Sequence, residues 1–289
     1  MISPLSYATR ELPVGELPAL ELYQKPRGIC AVSPRWDNWD GEASSRWAGR
    51  YVAVRKRRIE LAVARLGLRL TTPGPQDLDA ILRFALSFGT PAVRALSAYD
   101  LYRVLRCGRP LVLRGPGGEI LGYDLTALYS DGEETTLGSC GYAVSPSLAG
   151  HNLGAQMVTY SALRAMEAGA TVRRGIVSPR NVKSLATLLN HLGCVCDGFV
   201  STFGNWEEPR FMHACRLTPA GLSNNRIDPA KLEVFLATAR EGRDYRLVGC
   251  ADDAGLERLY RDTPFRVAAI LPPRLHGDGS TLLAVPVSC

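Results

Sequence analysis

The stretch from Ala143 to Gln156 constrains the chain more than any other. Ala143 and Val144 end a strand-like run, Ser145-Pro146-Ser147-Leu148 turns, and Ala149-Gly150-His151-Asn152-Leu153-Gly154-Ala155 leads directly into a helical period. A strand that passes straight into a helix offers the unpaired amides and the partial positive charge of the first helical turn to whatever lies beyond the strand's end. Small residues there let a diphosphate approach the backbone. A tight connection into a packed helix would use the same residue types, so the surrounding order of elements has to decide between the two.

That order is readable. Residues 1–45 are rich in proline, glycine and aromatics, carry Trp36, Asp37, Trp39 and Asp40, and predict an extended arm. Residues 46–66 read as a helix, and a second starts at Pro75 with Leu78, Ile81, Leu82, Ala85 and Leu86 on one stripe before Gly89. A short helix follows over Ser97–Arg106. Strands are expected at Pro110–Arg114, Ile120–Tyr129 and Thr136–Val144, joined by Gly115–Gly118 and by the polar loop Ser130–Glu134, as an antiparallel meander. After the helix to Ala168 come a strand Thr171–Val177, a helix Arg180–Leu192 closed by Gly193, and strands Cys196–Phe203 and Arg210–Leu217. In the tail, Asp228-Pro229 opens a helix that Gly242 ends, followed by strand, helix, strand and strand at Tyr245–Cys250, Asp252–Tyr260, Phe265–Leu271 and Thr281–Val287. The tail reads as a small second lobe or a dimerisation arm.

Composition removes several classes. With 46% hydrophobic and 21% charged residues, the 289-residue chain is neither disordered nor coiled-coil. No apolar stretch approaches the ~18 residues that span a bilayer, and the N-terminus lacks a signal-peptide layout, so a soluble cytoplasmic protein is expected. Eight cysteines with no Cys-x-x-Cys read as free thiols, and no His/Cys/Asp grouping has metal-ligand spacing. The formal charge is +6, and Arg55-Lys56-Arg57-Arg58 invites a nucleic-acid reading. The interleaved Ile59, Leu61, Ala62, Val63 and Leu66 make it the polar side of an amphipathic helix instead.

Across about residues 68–218 this layout resembles the Gcn5-related N-acetyltransferase (GNAT) family. In that family a central strand ends in a Val-x-Pro-like sequence followed by Arg/Gln-x-x-Gly-x-Gly/Ala. Here Val144-Ser145-Pro146 is followed by Ala149-Gly150-His151-Asn152-Leu153-Gly154, with Ala149 for the Arg/Gln and Asn152 for the middle glycine. Asn is the next most tolerant residue of a left-handed backbone after glycine. The family's Asn-x-x-Ser and later Leu-Gly correspond to Asn181-Val182-Lys183-Ser184 and Leu192-Gly193.

The resemblance implies an α/β fold with a mixed, mainly antiparallel central sheet flanked by helices. It divides the chain into an N-terminal arm and helix (1–67), an acyl-CoA-binding core (68–218) and a C-terminal α/β extension (219–289). It also implies transfer of an acetyl group from acetyl-CoA, or another acyl-CoA, to a small-molecule amine by direct attack, with no metal; a homodimer is compatible with it. The coenzyme would be held by Ala143, Val144, Ala149, Gly150, His151, Asn152, Leu153, Gly154, Ala155, Asn181 and Ser184. The family's leaving-group tyrosine is Leu189 here, and Gly138 stands where its carboxylate base would be. Glu134, Asp124 and His213 are the candidates for proton transfer, by proximity to the splayed strand and, for His213, by its place on the alternating strand Phe211–Cys215. The departures at Ala149, Leu189 and Gly138 give a second reading, a regulatory protein that kept the coenzyme pocket and lost turnover. The basic N-terminal quarter suits a transferase using an acyl-carrier protein or aminoacyl-tRNA.

Overall fold

The computed structural model describes residues 45–88, 97–130, 134–202, 208–218, 222, 227, 229–277 and 279–286. The arm expected over residues 1–45 lies outside these except for Ser45, as do Gly89, most of the 130–134 loop, Asp228 and two of the eight cysteines. The six described cysteines are free thiols.

Alternation of apolar residues builds a ten-stranded sheet in the order β1-β2-β3-β4-β5-β7-β6-β9-β10-β8. Its strands are β1 (Arg69–Thr71), β2 (Leu111–Arg114), β3 (Ile120–Ser130), β4 (Thr135–Val144), β5 (Val172–Val177), β6 (Val195–Val200), β7 (Arg210–Arg216), β8 (Arg246–Gly249), β9 (Phe265–Ile270) and β10 (Thr281–Pro286). The expected meander is β2-β3-β4, antiparallel throughout. Among the described strands, β4 and β5 are the one pair that runs parallel. The three-residue β1 carries no alternation long enough to read; it pairs antiparallel with β2, Leu70 opposite Leu113.

Helices cover both faces. On one lie α1 (Ser45–Ala64), α4 (Leu153–Glu167), α5 (Val182–Leu185, continuing through a π turn Ala186–His191) and α7 (Asp253–Asp262). They bury Val52, Ile59, Val63, Met157, Val158, Ala162, Leu163, Leu185, Leu189, Leu256 and Leu259 with sheet residues Leu111, Leu113, Leu137 and Phe211 in the largest core. On the other face α2 (Leu78–Leu86) and α3 (Ala98–Cys107) pack Ile81, Leu101, Val104 and Leu105 on Val112, Tyr123 and Leu125. Further along that face α6 (Pro229–Thr238) packs Leu232 on Ala269, Leu283 and Val285. The basic run of α1 keeps Arg55, Arg57 and Arg58 exposed. Lys56 pairs with Glu167 of α4 at 2.6 Å, as the amphipathic reading requires. No helix among the described residues is long and apolar enough to cross a membrane.

The tail continues the same sheet. A single register pair, Cys196 opposite Val267, joins β6 to β9, and side chains fasten the seam. Asn190 Nδ2 donates to the Ile270 carbonyl at 2.8 Å while the Ile270 amide donates to Asn190 Oδ1 at 3.1 Å. The Tyr260 hydroxyl donates to the Cys196 carbonyl at 2.7 Å, its ring beside Phe199 and Phe211. Asn190 thus stands in for a missing strand partner at the end of β9. Asn190→Ala should cost about 2–3 kcal/mol in urea unfolding, because it orphans two buried backbone groups. An unchanged midpoint would mean that the aromatic cluster alone holds the seam.

Candidate active site

Strand β4 follows β3 for its whole length, from Thr135 opposite Ser130 to Val144 opposite Gly122. On its other side it pairs with β5 only at Thr136–Val172, Leu137–Arg173 and Gly138–Arg174, after which the two strands part. A bulge sits where they separate: Leu125 faces Gly141 and Thr126 faces Ser139, leaving Cys140 as the extra residue. Because of that residue Ser139 and Tyr142, three apart, share one face, which an unbroken strand forbids. Gly141 has φ 131, a conformation closed to side chains of L residues. From Ser139 to Val144 the β5-facing edge of β4 has no strand partner among the described residues, so its backbone groups line a cleft. The Tyr142 hydroxyl reaches across to the Ser184 carbonyl of α5 at 3.3 Å.

The mouth of the cleft is the strand-to-helix turn. Ser145 Oγ accepts from the Ser147 amide and starts a 3₁₀ turn at Pro146–Leu148. Gly150 follows with φ 87, and Asn152 with φ 55, ψ 27. Asn152 is the one non-glycine residue with positive φ among those described, in keeping with its place in the motif. It makes no side-chain cap, which leaves the amides of Leu153, Gly154 and Ala155 facing out of the helix end. Ala149 to Asn152 are exposed, whereas the side chains of Ala143, Leu153 and Ala155 are buried and would reach a ligand only through backbone. Asn181 Oδ1 accepts from the Ser184 amide at 3.1 Å, so the carboxamide oxygen serves as helix cap and the Ser184 carbonyl faces Tyr142.

Beneath this mouth, on the α4/α5 face, lies a buried polar cluster. Arg173 and Asp124 are both wholly buried, with Arg173 Nη2 at 3.3 Å from Asp124 Oδ1 and donating to Ser139 Oγ at 3.0 Å. His213 lies over Gly175, where a Cβ would fall 2.5 Å from its Nε2. The His213 pKa is pushed down to about 3 by burial and by the Arg173 charge. Cys194 and Cys215 share a thiol–thiol hydrogen bond beside the guanidinium. Asp124 Oδ2, Arg173 Nε and Nη1, and His213 Nδ1 have no partner.

The three proton-transfer candidates therefore divide. Asp124 and His213 come together; Glu134 lies on the opposite face, paired with Arg174 Nη2 at 3.3 Å, while Arg174 Nη1 stands 3.7 Å from Asp197 Oδ2. Burial raises the Asp197 carboxyl to about 6. His213 is enclosed, and with its pKa pushed down to about 3 it stays neutral, which does not suit the proton-transfer role expected of it. Asp124 is tied to a guanidinium and is not an open base. Leu189, at the position of the family's tyrosine, is wholly buried in the core. Sequence reasoning missed Arg173 and Asp197. The available signal was Arg173-Arg174 inside an apolar strand, since adjacent strand residues face opposite ways. Asp197 is the extra residue of a bulge between Cys196 and Gly198, which no strand pattern announces.

Removing one partner of a buried ion pair leaves a charge without compensation. Asp124→Ala should lower unfolding free energy by about 3–5 kcal/mol, and Asp124→Leu with Arg173→Met should recover most of the loss. A single substitution no costlier than a surface one would show that water already reaches the guanidinium.

No protein-family model matches the chain, and no curated protein matches it. Solved structures do align with about half of it. An acetyltransferase of the GNAT family from Streptococcus pneumoniae aligns at 14% identity over 52% of this chain and 98% of its own, with a TM-score of 0.43. Diaminobutyrate acetyltransferase from Paenibacillus lautus, in complex with L-2,4-diaminobutyric acid and coenzyme A, aligns at 17% identity over 52% and 95%, TM-score 0.45. A GNAT-like decarboxylase in complex with isobutyryl-CoA aligns at 18% identity over 52% and 99%, TM-score 0.42. Likeness of this degree says nothing of a reaction. The parting of β4 from β5, the bulge at Cys140 and the strand-to-helix turn at Asn152 give the core of this chain a GNAT-like fold, a mixed, mainly antiparallel sheet flanked by helices.

Proposed function

We propose that the protein is an acyl-CoA-dependent acyltransferase that moves an acyl group, acetyl in the simplest case, to the amine of a small molecule. The observation that carries this reading is the unpaired β5-facing edge of β4, which runs from Ser139 to the helix-end amides of Leu153, Gly154 and Ala155. An extended arm with amide groups can add to such an edge as a strand does, and a diphosphate can settle on the helix end. The residues present fit the coenzyme: Asn152 holds the left-handed turn, and Gly154 leaves room beside Tyr142 and Val144. Once bound, the coenzyme supplies an activated thioester, and the chain's own contribution is position and charge.

The acceptor is assigned to the opposite face, where Glu134 and Asp197 flank Arg174. The two carboxylates, with Arg174 and Arg266 as the cations beside them, offer acceptors to an amine. Asp197, its carboxyl held near 6, is suited to take the proton that the amine must lose before it attacks. Turnover on an amine found by screening should rise as pH increases through about 6. Asp197→Asn should abolish that step; a step that survives would move the base elsewhere.

The reading is tested by calorimetric titration with acetyl-CoA. A Cβ at Gly154 meets only ordinary contacts, at 3.8 and 3.9 Å, so Gly154→Ala should bind nearly as the parent does. Gly154→Asp places a carboxylate against the diphosphate and should weaken binding at least tenfold while unfolding as the parent does. Equal affinity in both variants would remove the turn from the site.

A further inference from the structure

The cluster under the cleft has a chemistry that holding strands together does not explain. Apolar side chains would join β3, β4 and β5 at lower cost than a buried ion pair. Each buried polar atom without a partner costs about 1–3 kcal/mol, and here four of them gather around one guanidinium: Asp124 Oδ2, Arg173 Nε, Arg173 Nη1 and His213 Nδ1. Arg173 stands one pair before the last register pair of β4 with β5, and its bond to Ser139, the first residue of β4 beyond those pairs, sets the guanidinium beside the closed end of the cleft, with Nε and Nη1 buried and without a partner. Of its two Nη groups, one is committed to Asp124 and Ser139; the other, with Nε, awaits an acceptor. Position 189 of α5 is an apolar leucine packed in the core and supplies no proton donor.

We propose that Arg173 stabilises the negative charge on the sulfur that leaves an acyl thioester held between β4 and β5. This rests on the reading of the cleft as an acyl-CoA site and adds to it the group that answers the leaving charge. In the step, the amine nitrogen forms a bond to the carbonyl carbon and the carbon–sulfur bond breaks with its electron pair going to sulfur. The amine's proton goes to the base on the opposite face. The guanidinium gives up no proton. It offers N–H groups already in place and desolvated, where charge-assisted hydrogen bonds are strongest, and the thiolate takes its proton from water after release.

The titratable groups around Arg173 are Asp124 from β3, Cys140 and Tyr142 from β4, His213 and Cys215 from β7, and Cys194 ahead of β6. Asp124 is the one carboxylate among them and partly cancels the guanidinium field. His213, kept neutral, adds no competing positive charge.

The test uses the full-length protein with coenzyme A carrying a carbon-13 label on the carbon bonded to sulfur, titrated by NMR. In the complex the coenzyme thiol should ionise at least tenfold more readily than in free coenzyme A under the same conditions. Arg173→Gln should return it to the free value. Asp124→Asn, which removes the opposing charge and keeps the shape, should make it more acidic still. These opposite signs are not expected of residues that only shape the cleft, and the parent complex and Asp124→Asn carry the test if Arg173→Gln does not fold. A bound thiol that titrates at or above the free value overturns the role of Arg173 and leaves the coenzyme site standing. Absence of any bound signal overturns both.

Discussion

The structure depends on β4 having two different neighbours. With β3 it makes a full antiparallel ladder, which anchors it in the meander. With β5 it makes three parallel pairs and then none. Right-handed twist rotates neighbouring strands apart, and the extra residue at Cys140 adds a local bend to β4 at the point of separation. An edge inside a sheet, otherwise a liability, becomes a slot lined by backbone donors and acceptors. The strand then runs without a spacer into α4, whose first-turn amides close the slot at its mouth.

Two adjacent arginines divide the chemistry between the faces of the sheet. Strand alternation sends Arg173 into the core beside Asp124 and Arg174 out toward Glu134 and Asp197. The inner pair sits beneath the cleft in a low-dielectric setting that screens its charges less than water does. The outer group is half-buried and sets Glu134 and Asp197 beside Arg174, with Arg266 also acting on Asp197. On the proposed reading, donor and acceptor would approach from the two faces and meet where β4 and β5 part.

Much of this was legible in the sequence because it rests on local backbone chemistry. Asn152 in a glycine position demands a left-handed turn, and it has one. The glycine and proline punctuation around Gly115–Gly118 and Ser145–Pro146 fixes the meander and the entry to α4. In the tail, Asp252 caps its helix as an aspartate before an apolar stripe should, accepting from the Gly255 amide. Features set by partners distant in sequence stayed hidden. No periodicity reveals that the three strands of the tail extend the core sheet through one register pair, or that Asn190 clasps Ile270. The π turn at Ala186–His191 follows a helical pattern indistinguishable from an ordinary one. His213 could be placed on a strand but not on a face, and the face decides whether it is a base or an enclosed neutral group.

The most direct test of the cleft is amide hydrogen exchange with and without acetyl-CoA. An acyl-CoA site between β4 and β5 predicts new protection at residues 139–144 and 150–155, with α6 and β10 unchanged. Saturable binding that leaves both segments exchanging as before would contradict it.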